Sequence, residues 1–498
     1  MINVAIMPLK AYISEPFPWT TSLSSEIPND CHFNYTQCTT LLLSFFRNQS
    51  KTMPPDSSLL TATFDVHAIR FSYIPAKTED DAKSYALHFP SSIFYSKKGI
   101  QQAITLARKQ YNVSDFSSVV FTRFLGIVTN YITLWAVENQ DDDTMFIGGW
   151  QPQMSFEWLL LKLVFRLCLS AYIVRYMWKH YYSYYPQLAK NLHRFGLENA
   201  SSGSKFEIVI GDPTSIVILN PIVSALLVVD FWISVDFVGR VFNRIIQLAV
   251  IKDFLLAYLY LSRTLWFGYG SLSIMSYLLK RFDCARLFYG VDPTWTAIGI
   301  ALVAGPMTLL QSRISFMVQF YNFIFTSISK NESEIEISIA VIFYTLLLGT
   351  LPVMFSFLPR ESFYNGWKKL FSCTKMTWEP SSYLYNDTKN RWTLQFVFFT
   401  FRNADIITKG GSVYNLFQLD FKYKKHLGIG QCGADCYVKL KSGTGKWTCC
   451  RLSLLSCIDI QPPIQFITSK HLTAVGKIEI DKMSIKIIQG SNKSPWVL

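Results

Sequence analysis

The stretch ILNPIVSALLVVDFWISVDFVGR, Ile218–Arg240, decides how the rest of the sequence is interpreted. It is apolar enough to cross a bilayer, yet it contains Asp230 and Asp236. Charged side chains inside a membrane are rare, and they either pair with an opposite charge or line a path for a solute. The two carboxylates therefore belong either to a charge pair that holds helices together or to a mechanism.

Long apolar runs of this kind are concentrated between residues 156 and 358. A helix that crosses a bilayer needs about 20 mostly apolar residues. Five runs meet this condition and predict spans near residues 156–178, 214–237, 244–262, 294–311 and 335–357. Two shorter runs, 264–279 and 314–329, leave a seven-span alternative open. We favour five spans, because seven would move Lys280, Arg281 and Arg286 to the outer side.

The 498-residue chain thus divides into residues 1–155, 156–358 and 359–498. In the first part, TATFDVHAIRFSYI alternates as a strand does, and KKGIQQAITLARKQY has helical spacing. The third part contains alternating runs such as GKIEIDKMSIKII. The predicted fold class is an α-helical multi-pass membrane protein with an amino-terminal α/β extracytoplasmic domain and a carboxy-terminal β-rich (α+β) cytoplasmic domain.

The distribution of basic residues predicts the orientation, because Lys and Arg favour the cytoplasmic side of a membrane. Neither residue occurs from Leu125 to Leu161, whereas Arg175 and Lys179 follow at the end of the first predicted span. The amino terminus is therefore expected outside and the carboxy terminus in the cytoplasm, most simply at the plasma membrane. The first residues are a poor secretory signal, so either the first span translocates the domain or the start of translation lies upstream.

An outer location for residues 1–155 has covalent consequences. Three Asn-X-Ser/Thr acceptors, Asn34, Asn48 and Asn112, are predicted glycosylation sites. Cys31 and Cys38 are the cysteines of this part, and in an oxidising compartment they are expected to form a disulfide.

Charges in the apolar block are the remaining candidate functional groups. If the spans have the predicted depths, five of them come to lie at similar heights and can pair: Lys162, Arg166, Asp230, Lys252 and Asp253. For Asp230 we expect Lys162 or Lys252 as the partner.

Other motifs predict no catalytic residue, no metal and no cofactor. The glycines of LGIGQCGADC resemble a nucleotide loop, but no catalytic lobe can follow within the remaining residues. Cys432, Cys436, Cys449 and Cys450 approximate a zinc spacing, yet adjacent cysteines on a strand point to opposite faces. The net charge of +13 lies mostly in the carboxy-terminal part and fits a surface next to anionic lipid, since no nucleic-acid motif accompanies it.

Four stretches together resemble a family: RTLWFGYGSLSIMSYLLKR, VDPTWTAIGIALVAGP, GGSVYNLFQLDFKYKK and RLSLLSCIDI. They resemble an uncharacterised family of multi-pass membrane proteins that is expanded in oomycete water moulds. The resemblance implies the three-part architecture and no activity or site residue.

Our functional hypothesis is a non-enzymatic surface protein with an interaction or sensing role, whose partners are membrane lipid and proteins at either face. A transporter or channel that uses the charges of the apolar block is the alternative.

Overall fold

The computed structural model describes residues 5–19, 35–71, 78–89, 91–108, 113–138, 144–153, 155–195, 206–210, 214–218, 220–247, 251–282, 293–310, 314–326, 329–331, 333–357, 435–441, 447–454, 476–480, 485–489 and 496–497.

These residues form thirteen strands, numbered here in chain order: β1 (Ser57–Leu60), β2 (Asp65–Phe71), β3 (Ser117–Phe124), β4 (Ile127–Glu138), β5 (Thr144–Pro152), β6 (Phe206–Ile210), β7 (Ser329–Lys330), β8 (Glu334–Glu336), β9 (Asp435–Lys441), β10 (Trp447–Leu454), β11 (Gly476–Ile480), β12 (Ile485–Gln489) and β13 (Trp496–Val497).

They also form fourteen α-helices: α1 (Tyr35–Ser50), α2 (Glu79–Ala86), α3 (Lys97–Ala107), α4 (Phe156–His180), α5 (Tyr185–Phe195), α6 (Thr214–Ile218), α7 (Pro221–Trp232), α8 (Val235–Gln247), α9 (Ile251–Leu261), α10 (Leu265–Arg281), α11 (Pro293–Leu302), α12 (Thr308–Leu310), α13 (Ser315–Thr326) and α14 (Ser338–Phe357). A 3-10 helix, Pro8–Ile13, precedes them.

The amino-terminal part is built on a seven-stranded sheet with the order β1-β2-β5-β4-β3-β8-β7. Its pairs are antiparallel except for β3 with β8. The helix α1 packs on one face through Leu42 and Phe46. On the other face, α2 and α3 pack with Phe116, Val120 and Phe146. Because both faces are covered, the long strand β4 is buried over most of its length, as is usual for a sheet between two helical layers.

The hairpin between β3 and β4 shows how local sequence sets the sheet's register. Leu125 and Gly126 form a two-residue turn in which both have positive φ, 52° and 79°. This geometry matches the twist of the flanking strands. Glu336 accepts hydrogen bonds from the backbone N–H groups of Leu125 and Gly126. The segment before α14 therefore holds the tip of the hairpin as well as supplying β8.

The helical part, α4 to α14, does not contain the predicted spans. Within the described residues no single helix combines the length and the apolar composition needed to cross a bilayer. Two bent pairs reach both only when their members are added together: Pro221–Trp232 with Val235–Ile246, bent by 74°, and Trp295–Leu310 with Ser315–Tyr321, bent by 110°. The predicted fold class, an α-helical multi-pass membrane protein with five or seven spans, is therefore wrong.

The physical reason why a predicted apolar run is not a membrane span differs among the five runs. The run 156–178 is one helix, α4, but it contains the charges Lys162 and Arg166. The run 214–237 is divided among α6, α7 and α8, and the run 244–262 is divided between α8 and α9. In the run 214–237, hydropathy is continuous across Ile233 and Ser234, whereas the helix is not.

The two remaining runs are also interrupted. A π-helical turn that contains Pro306 interrupts the run 294–311, consistent with the hydrogen bond that a proline removes from a helix. The run 335–357 begins inside strand β8, so its helix α14 starts only at Ser338. The apolar segment of α14, Ser338–Met354, is shorter than the length that a membrane span needs.

The described strands form two further sheets, one of which joins distant parts of the chain. One sheet has the order β13-β10-β9-β6, in which β6, from the region between α5 and α6, pairs with β9. The second consists of β11 and β12. The expected strand content of the carboxy-terminal part is confirmed for GKIEIDKMSIKII, which forms β11 and β12.

Candidate functional site: two buried ion clusters

The helical part encloses six charged side chains that form one group, which we call the central cluster: Glu15, Lys162, Arg166, Asp230, Asp236 and Arg263. Five distinct segments supply them: the residues after the 3-10 helix, α4, α7, α8 and the turn after α9. All six are shielded from solvent, and Arg263, with 9% of its side chain exposed, is the most accessible. The cluster therefore lies where these segments meet.

Arg166 is the centre of this network. Its Nη1 and Nη2 atoms lie 2.8 and 2.9 Å from the two carboxylate oxygens of Glu15. Its Nε atom donates to Asp230 Oδ1 at 2.7 Å, and Nη2 also donates to Ser234 Oγ at 2.7 Å. The planar guanidinium thus uses a forked geometry with one carboxylate and a side contact with another, which a lysine cannot do.

The other two cations complete the charge balance. Lys162 Nζ lies 2.9 Å from Asp236 Oδ2. Arg263 bonds Asp230 through Nη2 and approaches Glu15 Oε1 to 3.3 Å through Nη1. Three cations therefore face three carboxylates, so the buried group is neutral as a whole. Neutrality is required at this depth, because breaking a buried pair leaves an uncompensated charge.

Glu15 is the residue whose ionisation depends most visibly on the cluster. Burial alone would raise the pKa of its carboxyl group, but the attraction of Arg166, Lys162 and Arg263 outweighs burial and lowers the pKa well below its usual range. Tyr260 Oη also donates to Glu15 Oε1 at 2.6 Å. Glu15 is therefore held as a carboxylate.

Local sequence places the first two cations on one face of α4. Ser155 caps the helix by accepting a hydrogen bond from the Trp158 N–H. Lys162 and Arg166 are four residues apart and lie on the same buried face as Leu159 and Leu169, in accord with the helical repeat.

The acids are placed by the break between α7 and α8. Asn220 caps α7, and Pro221 occupies its first turn. After the bend, Ser234 Oγ donates back to the Asp230 carbonyl at 2.7 Å. The 74° change of direction brings Asp230 and Asp236 to two sides of the α4 cations.

A second group, the bridging cluster, consists of Asp65, Arg240 and Arg244 and joins the sheet to the helices. Arg244 Nε lies 2.7 Å from Asp65 Oδ2, and Arg240 Nη2 lies 2.5 Å from Asp65 Oδ1. Arg240 also donates to the Ala62 and Phe64 carbonyls at 3.1 and 3.2 Å. Burial opposes ionisation of Asp65, but the two arginines prevail and lower its pKa to about 2.

His67 lies two residues after Asp65 on the same strand. Its Nδ1 atom is 2.8 Å from Ser58 Oγ, and its ring packs edge-on against Trp150. Burial lowers the pKa of His67 to about 4, and the nearby arginines add to this effect. The imidazole is therefore neutral near neutral pH.

The structure places the predicted charges in two groups. Lys162, Arg166 and Asp230 lie in one cluster, in which Asp230 is paired with Arg166 and Arg263 rather than with Lys162 or Lys252. Lys252 is exposed and Asp253 is half-buried, and neither joins the central cluster. Asp253 and Lys252 start the short helix α9, which the predicted continuous span 244–262 did not allow for.

The predicted covalent sites lie in the amino-terminal part. Asn48 is exposed on α1. Cys38, also on α1, is disulfide-bonded. Asn34, Asn112 and Cys31 lie outside the described residues, so glycosylation and the Cys31–Cys38 pairing stay predictions. Within the described residues, no group of three or more His, Cys, Asp or Glu side chains could hold a metal ion; Cys432 and the nearby glycine loop lie outside them.

Sequence reasoning missed Glu15, Arg263 and Asp65. Glu15 is 151 residues from Arg166, and no pattern joins two such positions. Asp65 carried a weak signal, since a charged residue opens the apolar strand β2. Arg263 directly follows the apolar α9, a position at which the sequence gives no sign that the side chain is buried.

No protein-family model matches the chain, and neither a curated protein nor a solved structure matches it.

Proposed function

We propose that this is a non-enzymatic interaction or sensing protein whose helical part makes contact with membrane lipid. One observation carries the proposal: the helical part buries the six charges of the central cluster and exposes large apolar side chains on several helices. A helix at a water surface has the opposite pattern, with an apolar face inside and a polar face outside.

Helix α4 provides the clearest case. Its buried face contains Lys162 and Arg166. Between residues 160 and 174 its exposed positions are all uncharged: Leu160, Leu161, Val164, Leu167, Cys168, Ala171 and Val174. The exposed charged residues of this helix, Glu157, Arg175 and Lys179, are near its two ends. A continuous exposed face without charge is a surface that favours an apolar partner such as lipid.

Helix α14 repeats the pattern without any charge. Its exposed positions in the described part are Ile339, Ile342, Phe343, Leu346, Thr350, Leu351 and Met354. Apolar side chains are exposed on α9 and α11 as well, among them Leu255, Leu259, Trp295 and Leu302. Exposed apolar surface that extends over several elements indicates an interaction site. Lipid accounts best for apolar surface on several helices around one charged centre.

The central cluster favours an interaction or sensing role over transport. A transporter or channel needs a charged group that faces a path for the solute. In the central cluster each of the six charges is ion-paired. Such ion pairs hold the segments of the helical part together, so we assign the central cluster a structural role in positioning the helices.

A lipid-partition experiment tests the proposal. The full chain, purified in mild detergent, is exchanged into phosphatidylcholine–phosphatidylserine vesicles, washed with alkaline carbonate and floated on a density gradient. We expect it to stay with the vesicles. If the chain instead remains monodisperse in buffer after removal of detergent and lipid, the apolar surface is covered by another copy or by nothing, and the proposal is wrong.

Matched charge substitutions locate the contact. Leu161→Lys on α4 and Leu346→Lys on α14 change residues that are 56% and 61% exposed. In lipid, each should lower the free energy of unfolding by about 3 kcal/mol, because a lysine is costly in hydrocarbon. Leu41→Lys on α1, which is 46% exposed, is the control. There we expect a change within about 0.5 kcal/mol, as for an ordinary surface position. Equal, small effects at all three positions would contradict lipid contact.

A further inference from the structure

The position of Glu15 in the central cluster points to a binding site that is independent of the lipid contact. Glu15 belongs to the described segment 5–19, which lies against α4 and α9. Both of its carboxylate oxygens receive hydrogen bonds. Oε2 accepts from Arg166 Nη1 at 2.8 Å. Oε1 accepts from Arg166 Nη2 at 2.9 Å, Tyr260 Oη at 2.6 Å and Arg263 Nη1 at 3.3 Å.

These donors are arranged to recognise a carboxylate. A guanidinium that meets both oxygens side by side provides geometric selectivity as well as charge. Tyr260 and Arg263 add donors from a second direction, and Lys162 Nζ lies 3.7 Å from Oε2. Tyr260, Arg166 and Lys162 are almost entirely shielded from water, so hydrogen bonds at this site are stronger than on a surface.

Charge balance shows what the site lacks when Glu15 is taken away. Asp236 is bonded to Lys162, and Asp230 is bonded to Arg166 Nε and to Arg263. Without Glu15, three cations face two carboxylates. Arg166 Nη1 and the Tyr260 hydroxyl would then lose the acceptor that they have here. Buried donors without acceptors, together with one excess positive charge, favour an anion with two oxygens.

Residues beside Glu15 make further contacts with the helices. Ala11 is fully buried beside α8 and α9. The Tyr12 ring stacks on Phe17 with centroids 4.4 Å apart and lies under the Arg166 guanidinium at 4.8 Å. Ser14 Oγ donates to the Leu256 carbonyl at 3.4 Å. The segment thus resembles a ligand that is tethered to its own binding site.

We propose that Arg166, Arg263, Tyr260 and Lys162 form a carboxylate-binding site that Glu15 occupies as an intrachain ligand and that a free carboxylate can enter in its place. The ligand class is a small monocarboxylate or the carboxylate of a side chain. Occupancy by Glu15 keeps the amino-terminal segment docked, and replacement by a free carboxylate releases it.

Chemical rescue tests the site. In the full chain, Glu15→Ala should lower the midpoint of thermal unfolding by several degrees. Acetate should restore the midpoint with a saturable dose dependence, whereas chloride at the same ionic strength should not. In the double variant Glu15→Ala/Tyr260→Phe, acetate should bind several-fold more weakly, because one donor is missing. An acetate effect that does not saturate, or that is the same in wild type, would overturn the proposal.

A measurement on the wild-type chain covers the case in which Glu15→Ala does not fold. Lys10 lies in the docked 3-10 helix and is a site for trypsin. Increasing acetate should accelerate cleavage after Lys10 several-fold, since released segments are cut faster. Chloride at matched ionic strength is the control. Equal cleavage rates in the two salts would show that no carboxylate competes with Glu15.

Discussion

The central cluster and the bridging cluster both bury arginines, but they neutralise them differently. In the central cluster, three cations meet three carboxylates. In the bridging cluster, two arginines share the single carboxylate of Asp65, and backbone carbonyls of residues 61–64 accept further hydrogen bonds from Arg240. Among helices most carbonyls are bonded within the helix, so side chains supply the counter-charges, and the Asp230 carbonyl also accepts from Arg263, at 3.3 Å. Beside the turn before β2, the carbonyls of Thr61, Ala62 and Phe64 take part of that role.

Arg166→Met should have the largest effect, because it removes a partner shared by Glu15 and Asp230 and leaves the central cluster with one excess negative charge. Breaking one buried pair by removing a partner costs about 3 to 5 kcal/mol. The loss of contacts to both Glu15 and Asp230 should exceed about 5 kcal/mol, which approaches the whole stability of a domain. Unfolding in denaturant, followed by circular dichroism in a lipid–detergent mixture, measures the change.

A double variant separates charge from packing. Arg166→Met combined with Glu15→Gln leaves Lys162 and Arg263 facing Asp230 and Asp236, so it should be more stable than Arg166→Met alone. If the two substitutions instead add, the central cluster is not a coupled unit and its contrast with the bridging cluster disappears.

Asp65→Asn should have the next largest effect. It leaves Arg240 and Arg244 without a counter-ion, but the backbone carbonyls remain as acceptors for Arg240. We therefore expect a loss of about 3 kcal/mol, at the lower end of the range for a broken buried pair. Asp56→Asn is the control, since Asp56 pairs with Arg70 at an exposed position, where ion pairs contribute little. Equal losses at Asp56 and Asp65 would contradict a special role for the bridging cluster.

The pH dependence distinguishes His67 from its neighbour Asp65. The pKa of His67 is lowered to about 4 from 6.5 by burial, so the unfolded chain binds the proton more readily. Stability should be highest above pH 6.5 and should fall by about 3 kcal/mol as the pH drops to about 4. The pKa of Asp65 is lowered from 3.8 to about 2, so its contribution is lost only below that window. Unfolding free energies measured from pH 7.5 to 4 give the slope.

His67→Asn should flatten this slope between pH 6.5 and 4 relative to wild type. The substitution removes the titrating group and leaves Asp65 and both arginines in place. If the unfolding free energy of the variant had the wild-type dependence on pH, the acid sensitivity would come from groups other than His67.

The sequence predicted local elements better than it predicted how they assemble. TATFDVHAIRFSYI contains β2, and KKGIQQAITLARKQY contains α3, because periods of two and of 3.6 residues are local signals. The spans were wrong because hydropathy registers composition but not the bend after Trp232 or the strand at Glu334–Glu336. In the central cluster, Lys162, Arg166 and Asp230 stood out as charges in apolar runs. Glu15 did not, because it lies outside the predicted spans, 151 residues before Arg166.

The smallest effect is expected for a charge that the sequence grouped with the central cluster and the structure does not. Lys252 lies in an apolar run as Lys162 does, but it is exposed on the first turn of α9, whereas Lys162 is bonded to Asp236. Lys252→Met should leave the unfolding midpoint in denaturant unchanged, because a surface substitution away from a pair has little effect. Lys162→Met is the matched variant and should lower the midpoint strongly by stranding Asp236. Similar unfolding midpoints for the two variants would mean that burial and pairing do not distinguish these lysines. In that case the central cluster would not stabilise the helical part.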